Sequence, residues 1–259
     1  MHMMLMVGVV LFFWFVSLSL MCLYRDLINP KFWNPVFIVA DLIAFFCWNY
    51  AAYQRGWLDD RFMTLDNISP MICTMIPLTC FMKDKVKECA YSAFSFLSLG
   101  MFFAMMISPE HAYLFSFNEE ASFLYASEAV CHLICSLFGV YLVMSEQVKP
   151  DFEHWIKSML FMYSIVGFGV FLNYVFHKNF FGMDPYGNYT IYMIDIFGTF
   201  EATLAAYILG ILVVLTLGLH FQQLLDKTTK KLLRANGMKA MEAPAQLRKN
   251  EDENSLQIP

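Results

Sequence analysis

Long apolar stretches recur along almost the whole of the chain and are separated by short polar segments. A helix that crosses a bilayer needs about 20 mostly apolar residues, because lipid cannot satisfy the polar groups of an exposed backbone. Five stretches meet this requirement: Met4–Leu23, Tyr91–Ile107, Phe123–Met144, Ile156–Phe176 and Ala202–His220. The pattern predicts an all-α fold, a polytopic transmembrane helix bundle.

Two weaker segments complete the predicted bundle. Val36–Tyr53 is apolar except for Asp41 and Asn49, and Asn67–Met82 is short and contains two prolines. Counting both segments gives about seven spans, and we expect their ends to be uncertain by a few residues.

Composition supports a membrane protein and divides the chain into two parts. The chain is 59% hydrophobic and 15% charged, whereas a soluble domain carries roughly 25% charged residues. Residues 1–234 are predicted to form the helical bundle. Residues 235–259 carry Gly, Pro, Asn and mixed charges without apolar periodicity, which predicts a disordered tail. No basic stripe and no glycine-rich phosphate loop occur, so we predict no nucleic-acid partner and no cofactor.

The distribution of Lys and Arg predicts the orientation. Of the 17 Lys and Arg residues, three lie in the tail and three, Arg55, Arg61 and Lys178, lie in loops on one side of a seven-span arrangement. The other eleven lie on the opposite side: Arg25, Lys31, Lys83, Lys85, Lys87, Lys149, Lys157, Lys227, Lys230, Lys231 and Arg234. Because cytoplasmic loops carry the excess of basic residues, we expect the amino terminus outside and the carboxyl tail in the cytoplasm.

The cysteines do not suggest a disulfide framework or a metal site. There are seven of them, an odd number, and they are scattered through apolar segments. Cys131, His132 and Cys135 lie within about one turn of a single predicted helix, where three ligands make poor tetrahedral geometry for zinc. The sequence therefore predicts no metal ligand.

Ionisable residues inside predicted spans are candidates for function, because burying them in a membrane is costly. Asp41 lies in the second span, and Glu128 and His132 lie in the fifth. Glu128 and His132 are four residues apart and share one helix face. A carboxylate there can orient the imidazole as a general base; alternatively, the two side chains only satisfy each other inside the bundle.

Two further segments carry candidate chemistry. In the third span, Pro77 removes a backbone hydrogen bond close to Cys80, so a thiol stands beside a break in the helix. A thiol with an imidazole on a neighbouring helix makes a nucleophilic pair, although a lone membrane cysteine also serves as packing. At the end of the sixth span, Asn173 is an interior candidate, whereas Tyr174 and His177 fit an interfacial belt.

Residues 70–180 or so resemble the YwaF-like family of polytopic membrane proteins. The resemblance rests on a Pro-Leu-x-Cys element ending at Cys80, on Ser108-Pro109, on a fifth span with a histidine, on Lys149-Pro150 and on Asn173-Tyr174. Eukaryotic relatives of this family are lysophospholipid acyltransferases with a Cys nucleophile and a His. In this chain Thr79 stands directly before Cys80, and the histidine of the family's third-span element is absent.

The resemblance implies roles for particular residues. Cys80 would be the nucleophile, His132 the base and Asn173 a polar partner, although the family's fifth-span histidine also aligns with Glu128. Further candidates for binding are Asp41, Glu128 and Tyr174.

Three functions follow from these residues. The first is acyl transfer between membrane lipids, with a lysophospholipid as substrate. The second is a small-solute transporter or channel, in which Asp41, Glu128, His132 and Asn173 would line a polar path. The third is a non-catalytic membrane scaffold. An enzyme needs the sulfur and the imidazole within hydrogen-bond reach, so the position of Cys80 relative to His132 is the observation that discriminates most.

Overall fold

The structure is a computed structural model that describes residues 2–54, 68–107, 122–177, 180–182 and 198–235. Within these ranges the regular structure is entirely helical. Seven α-helices are described: α1 (His2–Leu23), α2 (Pro30–Gln54), α3 (Ile68–Leu78), α4 (Asp84–Ile107), α5 (Ser122–Met144), α6 (Phe152–Phe176) and α7 (Phe200–Ala235). The predicted all-α bundle is confirmed, and each predicted span corresponds to one helix.

Four of the described helices are long and apolar enough to cross a membrane. These are α2, residues Ala126–Met144 of α5, α6, and residues Phe200–Arg234 of α7. Residues Gly8–Leu23 of α1 form a shorter apolar helix, and α3 is shorter still. Length and composition therefore fit a multi-pass membrane protein.

The third helix is shorter than the sequence predicts. It ends at Leu78 instead of continuing to Met82, and Pro77 lies in its last turn. The hydroxyl of Thr79 donates to the carbonyl of Ile76 at 2.6 Å and closes the helix end. Eleven residues rise about 16 Å, so the helix covers only part of a hydrocarbon core about 30 Å thick. Cys80 consequently lies in the turn beyond α3.

Helix α5 is the central element of the bundle. In its apolar window 83% of the residues are buried, against 28% in the windows of α2, α6 and α7. The polar residues that α5 carries, Glu128, His132 and Ser136 among them, are therefore enclosed by protein and not by lipid. This burial determines where a polar site can be built.

Contacts between α3 and α5 show that the two helices run in the same direction. Ser69 contacts His132 at one level, and Cys73 contacts Cys135 at the next. The residue numbers rise together, as expected for the third and fifth spans of a chain that crosses back and forth.

Helices α2 and α5 run in opposite directions. Asn34 accepts a hydrogen bond from Tyr141 at 2.6 Å, whereas Asp41, further along α2, meets Cys135, earlier in α5. Residue numbers on one helix rise as those on the other fall. This agrees with the second and fifth places in the predicted order of spans.

Ion pairs gather the basic connections at one end of the bundle. Arg25, in the turn after α1, binds Asp226 of α7 at 2.6 Å and Glu146, just beyond α5, at 3.2 Å. Lys157, near the start of α6, binds Glu88 near the start of α4 at 2.7 Å. These contacts place the connections that carry the predicted basic excess together, and we call this the basic end.

The start of α6 at the basic end is set by a side-chain cap. The backbone N–H of His154 donates to the carboxylate of Asp151 at 3.0 Å, and the imidazole of His154 lies 2.8 Å from the same oxygen. Partial burial acts to raise the pKa of Asp151, but these bonds outweigh it and hold the pKa below its usual value. The cap satisfies a backbone donor that the first turn of a helix would otherwise leave unpaired.

Helix α7 is the longest of the described helices. Its 36 residues rise about 54 Å, and at the basic end it stays packed on the bundle as far as Leu233, which is buried. Lys230, in the same turns, binds Asp226 at 2.8 Å. Ala235 closes the helix, and the rest of the predicted disordered tail, residues 236–259, lies outside the described residues.

Candidate functional site

A buried cluster of polar side chains lies where α2, α3 and α5 meet. Asp41 comes from α2, Cys73 from α3 and Cys135 from α5, and each is fully or almost fully buried. The sulfurs of Cys73 and Cys135 are 3.4 Å apart, and the thiol of Cys135 lies 3.8 Å from Oδ1 of Asp41. Cys131, one turn earlier on α5, is also buried.

His132 borders this cluster and is held at both ring nitrogens. Its Nδ1 lies 2.9 Å from the main-chain oxygen of Glu128, and its Nε2 lies 2.9 Å from the hydroxyl of Ser69 on α3. A carbonyl oxygen only accepts, so Nδ1 carries the proton and donates. The other ring nitrogen, Nε2, faces the Ser69 hydroxyl on α3.

The surroundings of His132 keep it out of water and lipid. The residue is 1% exposed, and the ring of Trp48 lies 6.1 Å from it, centroid to centroid. Ser69, which binds it, is also buried and contacts the sulfur of Met101 at 3.9 Å. The imidazole is therefore enclosed by the protein.

The cysteine that lies with His132 is Cys73 and not the predicted Cys80. Ser69 and Cys73 are four residues apart, so they share one face of α3, and the contact of Ser69 with His132 places Cys73 one turn further along that face. Cys80 is exposed and lies in the turn at the basic end. The rise from Ser69 to that turn is about 15 Å. The structure does not bring the predicted pair of Cys80 and His132 together.

The sequence prediction for Asp41 agrees with the structure, and that for Glu128 agrees in part. Asp41 is 0% exposed and faces a partner on another helix, the Cys135 thiol, so its predicted interior position is confirmed. Glu128 is buried on the same face of α5 as His132. The group of Glu128 that binds the imidazole is its main-chain carbonyl, however, whereas the sequence predicts its side-chain carboxylate.

Asn173 and Tyr174 lie near the end of α6. The side chain of Asn173 is buried and bonds the main chain of Phe180 twice, donating to the oxygen at 2.9 Å and accepting from the nitrogen at 2.7 Å. These bonds tie the short 3-10 turn Phe180–Gly182 to α6. Tyr174 is exposed, and its ring meets that of Phe200 edge to face. The geometry gives Asn173 a structural contact at this helix end.

Two apolar spaces lie on the surfaces of the helices that carry the cluster. A cavity of about 310 Å³ lies between α3, α4 and α7; it is lined by Ile68, Leu97, Ala206, Tyr207, Gly210, Ile211 and Val214. Ile68 directly precedes Ser69, so the cavity adjoins the start of the helix that carries the cluster. A second apolar groove, of about 480 Å³, lies between α1, α2 and α5 and ends at Tyr141.

Sequence reasoning overlooked Ser69 and Cys73. Both are polar or polarisable residues in a mostly apolar segment. They are four residues apart, which is also the spacing of Glu128 and His132. The sequence analysis instead predicts Cys80, at the other end of the segment, because Pro77 lies close to it.

Comparison with family models, with curated proteins and with solved structures finds no match to this chain. The fold and the site therefore define the class: a multi-pass helical membrane protein with a buried thiol, imidazole and carboxylate cluster. Membership of the YwaF-like family stays a prediction.

Proposed function

We propose that the protein is a membrane-embedded lipid acyltransferase of the YwaF-like type, with Cys73 as nucleophile and His132 as base. One observation carries the assignment of residues: the 2.9 Å contact between Ser69 and Nε2 of His132, one helical turn from Cys73 on the same face of α3. The resemblance suggests a cysteine and a histidine as the reacting pair, and the geometry favours this cysteine.

The proposed reaction has two halves. The Ser69 hydroxyl turns away from Nε2, and His132 takes the proton of the Cys73 thiol. The thiolate attacks the ester carbonyl of a phospholipid, so a C–S bond forms and the ester C–O bond breaks. The departing lysophospholipid oxygen takes the proton from His132. A second lysophospholipid hydroxyl then attacks the thioester, gives its proton to His132, and the thiol is restored with that proton.

The surroundings suit this chemistry. The main-chain oxygen of Glu128 binds Nδ1, so Nε2 is the ring nitrogen left for the role of base. The dry interior excludes water that would hydrolyse a thioester. The apolar cavity at Ile68 would hold the acyl chain beside α3, and the substrate would enter sideways from the bilayer.

Trapping the acyl-enzyme tests the proposed function. Purified protein in lipid receives a phospholipid with a labelled acyl chain, is quenched in acid and is digested for mass spectrometry. We expect the label on Cys73, released by neutral hydroxylamine as a thioester is. The Cys80→Ser protein should be used in parallel, because Cys73 and Cys80 lie in one tryptic peptide between Arg61 and Lys83.

The outcomes separate the candidates. An oxygen ester on Ser69 would overturn Cys73 as the nucleophile, and label lost in Cys80→Ser would restore Cys80. Wild-type protein that forms no acyl-enzyme and transfers no label to added lysophospholipid, across varied donors, would refute acyl transfer. The transporter and scaffold functions would then be preferred.

We also propose that the basic end faces the cytoplasm, with the amino terminus outside. The support is the excess of basic residues at that end together with the seven helices. A reporter that is active only in the cytoplasm should be active when fused after Ala235 and inactive when fused before His2. Equal activity at the two positions would mean an even number of spans and would contradict the proposal.

A further inference from the structure

We infer that Asp41, Cys73 and Cys135 bind a zinc ion inside the bundle. One ligand atom of each residue lies within 4.8 Å of the others, and the three come from three different helices. This site differs from the group rejected on sequence grounds, which placed Cys131, His132 and Cys135 on one helix turn. Ligands from separate helices can surround an ion, whereas ligands on a single turn cannot.

The distances match the edges of a zinc tetrahedron. With Zn–S bonds of about 2.3 Å and a Zn–O bond of about 2.0 Å, a tetrahedron has S···S and S···O edges of about 3.5–3.8 Å. The sulfurs of Cys73 and Cys135 are 3.4 Å apart, and Cys135 lies 3.8 Å from Asp41. These two edges need shifts of a few tenths of an ångström, and the third, between Cys73 and Asp41, is no longer than 4.8 Å.

The unpaired carboxylate oxygen of Asp41 is an independent reason to expect a cation. Asp41 is fully buried, and its Oδ2 has no hydrogen-bond partner among the described residues. An ionised carboxylate buried in a membrane bundle is stabilised by a paired cation or a bound metal, because an unpaired charge there is costly. Among the described residues, Asp41 accepts a bond from the Cys135 thiol, which is a weak donor.

The donor set selects the kind of ion. Two sulfurs and one carboxylate oxygen favour a borderline-soft ion such as Zn²⁺ over Mg²⁺ or Ca²⁺, which prefer oxygen ligands. Cys131, one turn before Cys135 on α5 and also buried, is a candidate for a fourth ligand, as is a water molecule. Binding would release the thiol protons, since cysteine ligates as the thiolate.

The zinc site is inferred independently of the proposed function, but bound zinc would affect that function. A thiolate held by zinc is a poor nucleophile, so an ion at this site would occupy Cys73 and stop acyl transfer. The two uses of Cys73 would be mutually exclusive. Metal content and transfer activity are measured separately, so failure of one claim leaves the other standing.

Metal analysis of the purified protein tests the site. The full chain, carrying an affinity tag without histidine, is reduced, equilibrated with Zn²⁺ and freed of loose metal before elemental analysis. We expect about one zinc per chain and, in Cys135→Ser and Asp41→Asn, at least a tenfold weaker affinity. Cys22→Ser and Cys47→Ser remove cysteines outside the cluster and should retain zinc like the wild type.

A measurement on the wild type alone covers the case in which a variant fails to fold. Zn²⁺ should protect Cys73 and Cys135 from a membrane-permeant alkylating reagent, as mapped by mass spectrometry, and a chelator should remove the protection. Mg²⁺ should give none. Unchanged labelling of Cys73 and Cys135 with zinc, or equal zinc loss in Cys47→Ser and Cys135→Ser, would overturn the site.

Discussion

Replacing Cys73 by Ser should abolish lysophospholipid acylation, and replacing it by Ala should do the same. Removing the base in His132→Ala should lower the rate by about 10²–10⁴-fold, the usual contribution of general acid–base catalysis. The two residues act on one proton, so the double variant should be no slower than the slower single variant. The measurement is the initial rate of label transfer to lysophospholipid in purified, lipid-reconstituted protein.

The matched control is Cys80→Ser. Cys80 is exposed in the turn at the basic end, so its loss should leave the rate within about twofold of the wild type. Ser69→Ala should have an intermediate effect, since it removes the bond that holds the imidazole but neither reacting group. Full activity in Cys73→Ser together with loss in Cys80→Ser would reverse the assignment of the nucleophile.

Much of the fold could be predicted from the sequence because lipid imposes a strong constraint on it. A spanning segment must be helical and apolar over about 20 residues, so Phe123–Met144 predicted α5 almost to the residue. The weak third segment was retained because the basic residues segregate only if it is counted. The structure has that helix, and the ion pairs of Arg25 gather the basic connections as the count requires.

The residues that form the site are harder to predict from the sequence. Hydropathy gives the position of a residue along its own helix but not the neighbour that it meets on another helix. His132 is a candidate because an imidazole inside a span is costly. The predicted partner, Cys80, lies about 15 Å further along the segment than the level of His132. At that level, the rotation of α3 about its axis decides that Ser69 and Cys73 face α5. That rotation depends on side-chain packing among three helices.

The metal site illustrates the same limit. Asp41, Cys73 and Cys135 are separated by 32 and 62 residues in the chain, so no local spacing motif links them. Their proximity follows from α3 running parallel to α5 and α2 running antiparallel to it. Asn173 is a different case: the resemblance implies that it is a polar partner of the reacting pair, and in the structure its side chain binds the main chain of Phe180.

Packing between α4 and α7 explains the second large effect that we expect. A Cβ atom on Gly218 would overlap the main-chain oxygen of Phe96, so the two helix backbones are in direct contact there. Close approach through small residues is the usual way in which membrane helices associate. One turn further, Gln222 donates to the oxygen of Ser95 and to the hydroxyl of Ser98.

Gly218→Ala should therefore destabilise the bundle, by roughly 1–3 kcal/mol or more, because a backbone oxygen cannot move aside as a flexible side chain can. Separating the helices would also stretch the bonds of Gln222. The control is Gly210→Ala, two turns earlier on α7, where nothing lies within 4 Å of the added carbon and alanine favours the helix. Thermal unfolding in detergent, followed by loss of the monodisperse peak in size-exclusion chromatography, measures both variants. The apparent Tm should fall clearly for Gly218→Ala and stay level or rise for Gly210→Ala; equal Tm values would show that α4 and α7 are not in such close contact.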